Sequence, residues 1–169
     1  MPRVPFDALP DHGRLWVFPV SRPLQADERD RLLAEVDAFL ETWAAHGHPL
    51  QSARDILERQ FLVVGVDVDA EAPSGCSIDA MVRRLGGVAD ALDITLHDQT
   101  SVRYRAGDEI RTVSRAEFRA AAEQGEVGPD VRVFDTTLVK VEQLRAGALE
   151  APASRTWHGR AFFKEQLQG

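Results

Sequence analysis

Phe61-Leu62-Val63-Val64-Gly65-Val66 is the longest strongly apolar run in the chain, and it constrains the fold more than any other segment. Apolar and polar residues do not alternate in it, as they would in a half-exposed strand, and the run is too short for a buried helix. It reads as a central strand covered on both faces. It also falls far below the ~20 residues that a membrane-spanning helix needs. A sheet with packed layers is the consequence, and the remaining sequence has to supply them.

Two long amphipathic patterns do so. From Asp27 to His46 the residues Leu32, Leu33, Val36, Phe39, Leu40 and Trp43 recur at spacings of three and four, which draws one apolar stripe along a helix. Asp27, Glu28 and Asp30 suit its positive N-terminal end, and Gly47 after His46 is the expected stop. In the second pattern Ile78, Met81, Val82, Leu85, Val88, Ala89 and Leu92 hold helical spacing, with Gly86-Gly87 expected to weaken or bend the middle. Arg14 to Val20 reads as a first strand, and Ser101 to Val113 as a hairpin turning at Gly107-Asp108. That register opposes Val102 to Val113 and Tyr104 to Arg111. Ser114 to Glu117 is a capping box with a Val113–Phe118 staple, opening a helix that ends at Gly125. A short strand over Val131 to Phe134 and a short helix over Thr137 to Arg145 follow. The tail, residues 147–169, carries Trp157, Phe162 and Phe163, enough apolar mass to dock on the body. Repeated adjacent strands predict an α+β fold, a mixed, largely antiparallel sheet with helices packed on it, in one domain spanning 1–169.

Charge narrows the partners. The 169 residues contain 20 Lys+Arg and 27 Asp+Glu, a formal net charge of −7. Nucleic acid and anionic membrane would be repelled at long range, so neither is an expected partner. Cys76 is the single cysteine, which excludes an internal disulfide framework and a CxxC pair. Pro2, Pro5, Asp7 and Pro10 interrupt the start of the chain where a signal peptide needs an apolar run, and a cytoplasmic location is expected.

The chemistry-bearing residues concentrate in D-V-D-A-E-A-P-S-G-C-S-I-D, Asp67 to Asp79, between the central strand and the second helix. Cys76 falls near a helix N-terminus, a position that favours a nucleophilic thiolate. Asp67, Asp69, Glu71 and Asp79 oppose that effect, because negative neighbours disfavour a thiolate. The bland alternative has Ser74 or Ser77 capping the helix, Asp79 complementing its dipole, and Cys76 as a small buried hydrophobe. A thiol enzyme would also need a base, for which His46, His48 and His158 are the candidates. His46 and His48 are two apart, H-E-x-x-H is absent and the acidic loop does not follow the EF-hand pattern, so no metal is expected. No G-x-x-x-x-G-K-[ST] occurs either, so a Walker mechanism is not available and no cofactor is implied.

W-A-A-H-G-H-P-L from Trp43 to Leu50, the strand ending at Asp67, S-G-C-S-I-D from Ser74 to Asp79, and Glu117-Phe118, Gly125, Val133-Phe134 and Trp157-His158 together carry a resemblance. The chain resembles a small uncharacterised bacterial protein family whose members are often labelled ABC transporter ATPase. The absent P-loop conflicts with that label. What the resemblance implies is a grouping of Trp43, His46, Asp67, Ser74, Gly75, Cys76 and Asp79 as one patch.

Three functional expectations result. The first is a protein binding a small molecule or a protein partner near the Asp67–Asp79 loop, through Trp43, Asp67, Ser74, Gly75, Ser77 and Asp79. The second is a thiol enzyme with Cys76 as nucleophile and His46 or His158 as base. The third makes 101–134 an interaction module, marked by an exposed apolar patch.

Overall fold

The computed structural model describes residues 2–96 and 98–168. In chain order the elements begin with β1 (Arg14–Pro19), α1 (Ala26–Thr42), β2 (Ala44–Ala45), β3 (His48–Pro49), β4 (Ser52–Leu57), β5 (Phe61–Val66) and α2 (Gly75–Leu92). They continue with β6 (Val102–Ala106), β7 (Glu109–Val113), α3 (Arg115–Glu123), β8 (Arg132–Phe134), α4 (Val141–Arg145), β9 (Glu150–Pro152), α5 (Trp157–Phe162) and α6 (Lys164–Gln168). The fold is α+β with antiparallel sheets and helices. Two compact units emerge from the contacts: Met1–Asp98 with Thr137–Arg145, and Gln99–Thr136 with Ala146–Gly169.

In the first unit the strands are ordered β1-β5-β4, so the apolar run Phe61–Val66 is the centre of its sheet and all six residues are buried. Phe18, Ile56, Leu62, Val64 and Val66 join Leu32, Val36 and Leu40 of α1 and Met81, Leu85 and Leu92 of α2 in one core. Burying each such side chain contributes about 1.5–3 kcal/mol. Gly65 permits a close approach: a Cβ there would lie 2.5 Å from Leu9 Cδ1, and Leu9 clusters with Ala53 and Val141.

The first helix ends at Thr42, short of the expected His46. Trp43 leaves it in an extended conformation, and its carbonyl accepts the Leu50 N–H at 3.0 Å. His46 (φ 53°) and Gly47 (φ 79°) are then the two left-handed residues of a tight β2-β3 hairpin. Such a turn wants glycine second, so Gly47 serves the turn and not a helix stop. α2 runs without interruption through Gly86-Gly87. Val82, expected on its apolar stripe, is 39% exposed, because it sits one step past Met81 around the helix. The expected helix over Thr137 to Arg145 shortens to Val141–Arg145. Val139 accepts the Leu15 N–H at 2.9 Å and Lys140 bridges Arg14, which holds that stretch extended beside β1.

The second unit's sheet is ordered β7-β6-β8-β9. Val102 opposes Val113 and Tyr104 opposes Arg111, with Gly107 at φ 63° opening the turn, as expected. Ser114 Oγ accepts the Glu117 N–H at 3.0 Å and the Glu117 carboxylate accepts the Ser114 N–H, completing the capping box of α3. Phe118 is the hub of this core, with Tyr104, Phe162 and Phe163 edge-to-face at 5.4, 4.9 and 5.9 Å.

Candidate functional site

The Asp67–Asp79 segment is tied down at both ends. The Asp67 N–H donates to the Gln51 carbonyl at 2.9 Å, while Asp67 Oδ1 accepts the Asp69 N–H at 3.0 Å. Asp69 Oδ2 lies 2.7 Å from His12 Nε2, linking the segment to the turn before β1. At the other end Ser74 and Ser77 cap α2 reciprocally: the Ser77 N–H donates to Ser74 Oγ at 3.1 Å and the Ser74 N–H to Ser77 Oγ at 2.8 Å.

Trp43 is joined to that cap. Its indole N–H donates to the Ser77 carbonyl at 2.8 Å, and its ring packs edge-on to Trp16 at 5.8 Å and tilted against Phe39 at 5.5 Å. The Arg14 guanidinium covers Trp16 at 4.8 Å. Trp43 and Ser77 are therefore brought together, but both are buried and partnered with each other. They frame the segment from beneath, whereas Gly75, Cys76, Asp69 and Asp79 lie exposed on it, with Asp67, Glu71 and Ser74 half-buried.

Cys76 is exposed, not the buried hydrophobe of the bland expectation. As the second residue of α2 it falls outside the stripe that packs on the sheet. Among the described residues no histidine hydrogen-bonds its thiol. His46 and His48 are exposed in the β2-β3 hairpin, so His46 is not the helix-terminal residue expected. His158 belongs to the second unit and is buried there. Its Nδ1 lies 2.7 Å from Thr156 Oγ1 and its ring stacks on Trp157 at 3.9 Å. Burial drives its pKa down to about 4, helped by Arg115 and opposed by Asp135. It is neutral and weakly basic at pH 7.

Among the described residues no group of three or more His, Cys, Asp or Glu side chains is placed to hold a metal ion. The exposed large hydrophobic residues are Val82, Val139 and Leu167, none of them within 101–134, so the apolar patch expected there is not found among the described residues. No helix among the described residues is long and apolar enough to cross a membrane.

Sequence reasoning missed one feature of the first unit. A groove of about 260 Å3 runs between α1 and α2, lined by Arg31, Glu35, Arg83, Arg84, Gly87, Val88, Ala91 and Leu92. Its signal in the sequence is an Arg83-Arg84 pair beside Gly86-Gly87 on an otherwise amphipathic helix.

No protein-family model, curated protein or solved structure matches the chain.

Proposed function

We propose that this protein is a binding protein rather than a catalyst, and that its Asp67–Asp79 segment presents an acidic face to a basic segment of a protein partner. The observation that supports this reading is the rigid framing of the segment. Its backbone is fixed by the Asp67–Asp69 turn, the Ser74–Ser77 cap and the Trp43 hydrogen bond, while Asp69 and Asp79 remain exposed. A preordered face loses little entropy on association, and clustered carboxylates steer cationic partners. The test is a titration with an oligoarginine peptide at low and physiological salt. Asp69→Asn with Asp79→Asn is expected to weaken binding at least tenfold, and the matched change Asp27→Asn with Asp30→Asn on α1 far less. Equal losses in the two pairs would reduce the effect to net charge and end the proposal.

A second reading keeps Cys76 as a nucleophile, and the exposure of its thiol at the start of α2 favours it. The binding reading expects iodoacetamide to modify Cys76 no faster in the folded protein than in the urea-unfolded chain at equal pH. Clear acceleration in the folded state would favour the enzyme.

A further inference from the structure

We propose that the groove between α1 and α2 binds a small amphiphilic anion, a carboxylate or phosphate carried on an apolar body. This rests on residues other than those of the acidic segment. The rim carries three guanidinium groups, Arg31 on α1 and Arg83 and Arg84 on α2, against one carboxylate, Glu35. Glu35 Oε2 is engaged by Arg84 Nη2 at 2.9 Å. Arg31 and Arg83 have no ion-pair partner among the described residues. The floor is apolar: Gly87, Val88, Ala91 and Leu92. A local excess of positive charge stands out in a unit with eleven Lys and Arg against eighteen Asp and Glu. Arginine forks match the paired oxygens of carboxylate and phosphate, so the rim selects an anionic head and the floor its apolar body.

Gly87 sets the depth of the apolar floor. A glycine inside a helix is unfavourable relative to alanine, and proteins commonly retain one where two parts of the chain press together. Here a Cβ at Gly87 would meet no atom within 4 Å. No internal packing demands the glycine, and the space it leaves open belongs to the groove. At about 260 Å3 the groove lies just below the usual small-molecule range of roughly 300–1,000 Å3, which fits a short ligand.

The test is isothermal titration calorimetry on the full chain with octanoate, octyl phosphate, inorganic phosphate and octyltrimethylammonium. Saturable binding of octanoate or octyl phosphate is expected, and the stronger of the two identifies the head group. Inorganic phosphate should bind at least tenfold more weakly, and the cation not at all. Two variants, checked for folding by circular dichroism, locate the site. Arg31→Glu with Arg83→Glu removes the attraction, and Gly87→Leu fills the floor while leaving the rim intact. Each should weaken binding at least tenfold. Absence of saturable binding, equal binding of the cation, phosphate binding as tight as octyl phosphate, or full affinity in both variants would each overturn the proposal.

Discussion

The two units solve the problem of a core differently. The first packs its two long helices on a sheet whose central strand is buried throughout, and its interior is mainly aliphatic, from Leu32 and Leu40 to Val64, Met81 and Leu85. Among the described residues the second has strands of three to five residues and no helix longer than the nine residues of α3, and its interior is organised around the rings on Phe118. Charge divides as sharply. The second unit holds nine Lys and Arg against nine Asp and Glu, so the whole net charge of −7 sits on the first. An extended aliphatic core spreads its stability over many side chains, while a small aromatic one concentrates it in a few.

Removing the hub of the second core is the hardest test of that contrast. Phe118→Ala should cost about 3–5 kcal/mol, the usual range for deleting a buried ring. Hydrogen exchange should then rise across β6 and β8 while β5 stays protected. Equal loss of protection in β5 would mean that the two cores do not differ in the way described.

Acid should separate the units next. His158 has a pKa of about 4 in the folded protein against an ordinary 6.5, so the unfolded chain binds the proton at higher pH. Its contribution is fully present above pH 6.5 and is lost as pH falls through about 4, a cost of up to about 3 kcal/mol. The first unit responds lower. Glu28, held at about 2 by the Arg22 guanidinium and then by the Gln25 N–H, contributes above pH 4.5 and loses its effect as pH falls toward 2. Urea unfolding between pH 7 and 4 should show the second unit weakening first, and His158→Gln should flatten that slope. An unchanged slope in the variant would remove His158 as the cause.

How far these regions were legible in the sequence depended on whether a signal was local. The β6-β7 register and the Ser114–Glu117 cap follow from adjacent residues, and the structure has both. The His46-Gly47 pair suits a helix stop and a tight turn equally well, and distant groups decide between them: Trp43 bonds Ser77, and Leu50 bonds Trp43. Glu58 and Arg59 both adopt positive φ without glycine, a turn with no sequence signature, held because Leu24 and Arg59 exchange hydrogen bonds across the chain. β9 has no strand pattern. It forms by pairing with β8, while Glu150 ties it to Arg105 and Arg132. The exposure of Cys76 was available from helical phase alone, since two residues back from Ile78 is a rotation of about 200°. The arginine groove was not, because it exists only once α1 lies against α2.

A smaller effect tests the link between the central sheet and the acidic segment. Trp43→Phe keeps most of the ring contacts with Trp16 and Phe39 but leaves the buried Ser77 carbonyl without its indole donor. The expected loss is about 1–2 kcal/mol, typical of one buried hydrogen bond with a partner left behind. Faster exchange at the first turn of α2 should accompany it. A loss confined to global stability, with that turn unchanged, would mean that Trp43 acts only by filling space.

The smallest effect runs in the opposite direction and concerns the middle of α2. Gly86 does not line the groove, and a Cβ there would meet no atom within 4 Å. Since the helix is already continuous at this point, alanine fits the existing backbone and restricts the unfolded chain more than glycine does. Gly86→Ala should therefore raise stability by about 0.5–1 kcal/mol, read as a higher midpoint in urea with an unchanged slope. The gain should appear as slower exchange within α2 and leave the second unit untouched. A lower midpoint would show that α2 needs its glycine to bend, and would restore the break that the sequence pattern predicts.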